Sequence, residues 1–132
     1  MSIINIGDTV QASYNSGVYV GKLIEDRDNF YLIEVSAILK HPTQGDLHHP
    51  GKVDNVAFHE RKALAFREKM NARKRKTEPY HEDVPNYVKS LKKSVDELKE
   101  KLTASDTPYN QKAMEKIHDL EKYYYSKLTG WK

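Results

Sequence analysis

Hydrophobic and polar positions alternate through the first forty residues and then change period. Val10, Ala12 and Tyr14 fall on one face of a first strand that begins in Ile6-Gly7-Asp8-Thr9-Val10. Asn15-Ser16-Gly17 reads as a tight turn, and Val18 to Ile24 resumes with the β-branched and aromatic residues that strands favour. Gly21, in mid-strand, marks a bulge or bend. Asp26 to Asn29 is the next turn. Phe30 to Leu39 is the most strand-like stretch, with Tyr31, Ile33 and Val35 on one face and Leu32 on the other. Three short strands joined by tight turns predict a small antiparallel barrel, and a five-stranded SH3-like barrel fits best. Asn55-Val56-Ala57-Phe58 is a candidate later strand. For Glu60 to Ala72, Ala63, Phe66 and Met70 at i, i+3 and i+7 favour a short helix, although Leu64 and Phe66 also alternate as a strand would.

The carboxy-terminal half reads as a helical hairpin. Thr77 to His81, with Pro79 inside it, forms a boundary. Asp83 is a candidate cap, with Pro85 tolerated in the first turn. Val84, Tyr87, Val88, Leu91, Val95, Leu98 and Leu102 then form one apolar stripe. Thr107 and Pro108 start a second helix, whose stripe is Ala113, Ile117, Leu120, Tyr124 and Leu128, with Gly130 as terminator. The predicted fold is therefore α+β. Residues 1–76 form the barrel with a helical or strand extension and a basic connector, and residues 77–132 form a two-helix antiparallel arm. A two-helix hairpin is marginal alone, so its seam docks on the barrel or is offered to a partner. Tyr123, Tyr124 and Tyr125 cannot all face one core at 100° per residue. With Trp131 they form either an amphipathic lid or an aromatic recognition patch.

Composition excludes several classes. At 38% hydrophobic and 31% charged residues the core is modest. No apolar run approaches the roughly 20 residues of a membrane span, and the opening Met1 to Asn5 predicts no secretory leader. There is no cysteine, which removes disulfides, thiolate zinc sites, thiol catalysis and cysteine lipidation, and a reducing cytoplasm is the simplest compartment. The net charge of +3 conceals a gradient: residues 1–57 carry a net −3, residues 58–76 a net +6 and residues 77–132 zero. The excess is densest in Arg73-Lys74-Arg75-Lys76, read as an exposed connector or, alternatively, as phosphate contacts of a nucleic-acid-binding small barrel. Against nucleic acid, the barrel is acidic and its tyrosines are needed for packing.

His41, His48, His49 and His59 lie near Asp46, Asp54 and Glu60, a donor set that could bind zinc. The spacing contains no helical ligand pair, and Phe58-His59-Glu60-Arg61 lacks the second histidine of a metalloprotease motif. The proline-bracketed loop from His41 to Pro50, with Gly45 at its tip, is expected to be ordered by its own hydrogen bonds, with no metal and no cofactor. No phosphate loop, nucleophile elbow or dinucleotide fingerprint occurs, so an enzyme is not expected and no catalytic residues are assigned.

Four motifs resemble one family. They are Ile6-Gly7-Asp8-x-Val10, Tyr14-x-Ser16-Gly17-x-Tyr19-x-Gly21, Lys40-His41-Pro42-x-Gln44-Gly45-Asp46-Leu47-His48 and Phe58-His59-Glu60-Arg61-Lys62-Ala63-Leu64-Ala65. Together they look like the kinase-associated protein B family of spore-forming Gram-positive bacteria. The resemblance implies an SH3-like barrel with a helical region. It also implies a non-catalytic accessory role: binding a membrane sensor histidine kinase that feeds the sporulation phosphorelay, with no small-molecule substrate. Members are sometimes described as lipoproteins. Without a cysteine to lipidate, this chain is expected in the cytoplasm, recruited to the membrane through its kinase. The partner surface is expected at Gln44, Asp46, Leu47 and His48 with His59, Glu60 and Arg61, an apolar group in a polar rim. The alternative there is that Arg61 and Asp46 merely pin the loop to the barrel.

Overall fold

The structure is a computed structural model that describes residues 4–132. The leader-free opening expected at the first residues falls partly on 1–3, outside the described residues. The fold is α+β: a five-stranded antiparallel sheet with two helices packed beside it. In chain order the elements are β1 (Thr9–Tyr14), β2 (Gly17–Arg27), β3 (Phe30–Lys40), β4 (Lys69–Arg73), β5 (Thr77–Pro79), α1 (Tyr87–Thr103) and α2 (Pro108–Tyr123). The strand order is β4-β3-β2-β1-β5. Barrel closure is not found: β4 and β5 are the two sheet edges, and no ladder joins them among the described residues. The sheet nevertheless curls enough for β4 to approach β1.

The first hairpin turns on Asn15 and Ser16, both at positive φ, the backbone that two-residue hairpin loops require. Gly17, expected within the turn, instead opens β2, where a Cβ would lie 2.8 Å from the Tyr19 hydroxyl oxygen. Gly21 marks a bend, as its position predicts. The β2–β3 register shifts between Val20 and Gly21, and a Cβ at Gly21 would lie 2.3 Å from the Glu34 carbonyl oxygen.

Residues 60–72 correct the helical expectation. Residues 61–65 belong to no helix or strand, and β4 follows with Met70 and Ala72 inward and Lys69, Asn71 and Arg73 outward. Helix propensity is a weak prior, and pairing with the first half of β3 outweighs it here. Nor is Asn55 to Phe58 a strand. The basic run joins the two edge strands of the sheet. Arg73 ends β4, Lys74–Lys76 make one 3-10 turn, and the chain enters β5, which pairs with β1 at Val10–Ala12. Lys74 is paired with Asp26 and lies over the Tyr31 ring, and Arg73 lies over Phe30, so Arg75 and Lys76 are the more freely exposed cations of the four.

The N-cap of α1 is Asn86, whose side chain accepts from the Lys89 amide, rather than the expected Asp83; Pro85 therefore lies just outside the helix. Thr107 caps α2 with Pro108 at its start, as expected. Helix α1 docks on β3, where the Ile38 amide donates to Ser90 Oγ at 3.1 Å. One continuous core includes Val10, Ile33 and Val35 of the sheet and Leu91, Val95, Ile117 and Leu120 of the helices. The hairpin seam is thus covered from within the chain. Glu121 of α2 faces Lys92 and Lys99 of α1 across the helix pair. Helix α2 ends at Tyr123, seven residues before Gly130, and a 3-10 turn over Tyr125–Lys127 follows. That change of period buries Tyr125 and leaves Tyr124 exposed, where the helical stripe places Tyr124 inward.

Gly21→Ala is expected to destabilise the fold by about 1–3 kcal/mol, because the new methyl meets strand backbone that cannot rotate away. Urea unfolding of the two proteins measures this, and an unchanged midpoint would show that the bend tolerates a side chain.

Candidate functional site

The long connection between β3 and β4 carries every residue proposed from sequence as partner-binding. Its two arms are tied together by a buried amide. Gln44 is 2% exposed. Its side chain accepts from the Arg61 amide at 2.8 Å and donates to the Arg61 carbonyl at 2.9 Å. Two hydrogen bonds from one carboxamide reproduce what a neighbouring strand residue would supply. The Gly45 amide bonds the His59 carbonyl at 2.9 Å, and Arg61 Nη1 donates to the carbonyls of Thr43 and Gly45. Arg61 therefore holds backbone carbonyls of the loop. Asp46 accepts instead from the His48 amide at 2.9 Å and sits 3.0 Å from His49 Nδ1. Those bonds, His49 first, hold its carboxyl below the usual range. Leu47, His48, His59 and Glu60 are exposed. The seven proposed residues thus take three roles: Gln44 and Arg61 bind the arms together, Leu47, His48, His59 and Glu60 face outward, and Asp46 orders the tip. Among the described residues, no three histidine or acidic side chains converge on a point that could hold a metal ion.

Below this loop lies a clasp of phenols, and their role is not predicted from the stripe pattern. Tyr125 Oη accepts from the Ala63 amide at 2.9 Å, Tyr19 Oη accepts from the Leu64 amide at 3.2 Å, and the Tyr87 hydroxyl donates to the Leu64 carbonyl. Tyr109 of α2 donates to the Gln44 carbonyl at 2.7 Å, and its ring packs against Phe58 beneath Gly45. Burial raises the phenol of Tyr19 to about 12 and those of Tyr87, Tyr109 and Tyr125 in the same direction, so all four stay protonated. The available signal was compositional: nine tyrosines against three phenylalanines means that most large rings bring a hydroxyl that needs a partner when buried.

His41 completes the clasp. It is 1% exposed, at the end of β3. Nδ1 lies 3.0 Å from the Pro42 carbonyl oxygen, which only accepts, so Nδ1 carries the hydrogen. Nε2 then accepts from Tyr125 Oη at 2.7 Å, and that oxygen accepts in turn from Ala63. A second proton on His41 would set N–H against O–H in a buried site. Burial accordingly lowers its pKa to about 4. The unfolded chain binds this proton near the ordinary value of about 6.5 while the folded chain does not. Stability contributed by neutral His41 is therefore present above pH 6.5 and lost as the pH falls towards 4. Urea unfolding is expected to show about 2 kcal/mol less stability at pH 5 than at pH 7. His41→Asn is expected to lower stability at pH 7 and to lose most of that slope; an unchanged slope would place the titration elsewhere.

The comparisons with known proteins agree with this architecture. The family model for kinase-associated protein B matches residues 14–125. Kinase-associated lipoprotein B from Bacillus subtilis (strain 168) is 38% identical over 127 residues, covering 96% of this chain and 99% of the relative. The crystal structure of kinase-associated protein B from Bacillus cereus superposes with a TM-score of 0.78 at 30% identity, covering 92% of this chain and 98% of the other. Over nearly its whole length, this chain belongs to the kinase-associated protein B family.

Proposed function

We propose that this protein is a non-catalytic regulator that binds a sensor histidine kinase and supports its signalling into the sporulation phosphorelay, with its curled sheet serving as an SH3-like module. The family supports a kinase-associated role. The observation that carries the site is the construction of the β3–β4 loop. Gln44, Arg61 and Tyr109 hold its backbone, and Leu47, His48, His59 and Glu60 project from that support. A loop ordered before it meets a partner loses little conformational entropy on binding. In this proposal Leu47 is the apolar anchor, and Asp46, His48, His59 and Glu60 are its polar rim, while Gln44 and Arg61 act by positioning. No helix among the described residues is long and apolar enough to cross a membrane, and membrane recruitment is proposed to come through the kinase.

Leu47→Ala, His48→Ala and His59→Ala alter exposed side chains, so their thermal midpoints are expected to stay within a degree or two of the parent. Leu47→Ala is expected to weaken association with the kinase cytoplasmic region by about 1–2 kcal/mol, measured by calorimetry or interferometry. Arg61→Ala releases two carbonyls and is expected to lower the midpoint as well as the affinity. Undiminished association in all three folded surface variants would remove the loop from the interface.

A further inference from the structure

A second surface stands apart from the loop. An apolar groove of about 580 Å³ lies between the segment around Ala63 to Phe66, the entry to α1 and the turn that follows α2. Neither Leu47 nor His59 lines it. Phe66 is 57% exposed there, and Val84, Tyr124 and Leu128 are each more than a third exposed. Single exposed apolar residues are ordinary, whereas four large ones around one depression form a patch.

We propose that this groove binds an amphipathic helix of a partner protein, with the helix's apolar stripe on the groove and an acidic side chain against Lys62. The preference for a helix follows from the state of the backbone at the groove wall. An incoming strand needs free edge amides and carbonyls. Here the amides of Ala63, Leu64 and Ala65 and the carbonyl of Leu64 are already bound by Tyr125, Tyr19, Glu68 and Tyr87. A ligand that satisfies its own backbone, as a helix does, loses nothing on docking against such a wall. The charge follows from the polar lining. Lys62 is the one charged residue that lines the groove; its Nζ lies 4.6 Å from the centre of the Tyr124 ring, with no carboxylate partner among the described residues. Ser36 and Asn86 are the other polar residues without a ring that line it. Glu82 and Asp83 lie just before Val84 and outside the lining. The one charged residue of the lining is therefore a cation, which complements a carboxylate.

The test uses the full chain and fluorescence anisotropy. The probes are a small set of labelled, hydrocarbon-stapled helices with Leu, Phe or Met at i, i+3, i+4 and i+7. Each is made with Glu or with Lys beside the stripe, and with a scrambled control. Saturable binding of at least one Glu-bearing helix is expected, tenfold or more tighter than its scrambled control. Phe66→Ala and Leu128→Ala change exposed positions, and each is expected to weaken binding tenfold or more, with circular dichroism confirming the fold. Lys62→Glu is expected to reverse the preference from Glu-bearing to Lys-bearing helices. Failure of every striped helix, equal binding of scrambled controls, or indifference to Phe66→Ala and Lys62→Glu would overturn the proposal. So would a dimer in sedimentation that Phe66→Glu dissociates, which assigns the groove to a second copy. Palmitate or phosphatidylglycerol vesicles that bind through Phe66 when no helix does would assign it to acyl chains and likewise overturn the proposal.

Discussion

A stretch of backbone that belongs to no helix or strand, and so has no ladder to pair it, is the constraint around which this molecule is arranged. Within residues 61–65, Ala63 is buried and Arg61 and Leu64 are half-buried, so water cannot serve all of their amides and carbonyls. An unpaired buried backbone group costs as much as a lost hydrogen bond or more. The chain satisfies them with side chains drawn from distant elements: Gln44 on Arg61, Tyr125 on Ala63, and Tyr19 and Tyr87 on Leu64. These partners come from the loop after β3, the turn after α2, β2 and α1. One short segment thereby makes the sheet and the helices mutually dependent, and one apolar core runs through both.

Tyrosine suits this role for a physical reason. Its ring supplies apolar area to the core while its hydroxyl reaches a backbone group at the margin. Phenylalanine at 19, 87 or 125 would keep the packing and strand an amide or carbonyl. The His41–Tyr125 contact adds direction: because the Pro42 carbonyl fixes the hydrogen on Nδ1, the Tyr125 hydroxyl must donate to Nε2, and its oxygen is then free to accept from Ala63. Trp131 packs on the outer side of Tyr125 and Lys92 lies over Trp131, so the carboxy-terminal residues shield the clasp from solvent.

What was legible in the sequence had local causes. The first three strands, their turns, the bend at Gly21 and the Thr107–Pro108 start of α2 each depend on a few adjacent residues. The misplaced features depend on distant ones. Residues 60–72 have helical composition, but an open β3 edge recruits Lys69–Arg73 as a strand. Asp83 and Asn86 are both good caps, and the docking of Tyr87 and Ser90 on the clasp and on β3 selects the later start. The stripe through Tyr124 assumed an uninterrupted 100° step, which the 3-10 turn at Tyr125 breaks. Within the candidate site, proximity of the Gln44 and Arg61 segments was legible, but the bonds between them were not. The alternative reading had Arg61 and Asp46 pinning the loop, whereas the groups that Arg61 binds are loop carbonyls.

The same geometry separates residues that shape the loop from residues free to contact a partner. A buried carboxamide with its oxygen and nitrogen both engaged has nothing left for a ligand, and this is the state of Gln44. Arg61 has likewise committed one guanidinium nitrogen to loop carbonyls. Such residues fix where Leu47 and the histidines stand, and their loss would be felt at the surface only through disorder of the loop. The segment around Ala63 imposes the same division on its other side. With its amides taken by phenols, it presents Lys62 and Phe66 as side chains on a backbone that is no longer available to a strand. Each of the two proposed surfaces thus presents side chains, and both flank one clamped segment of chain.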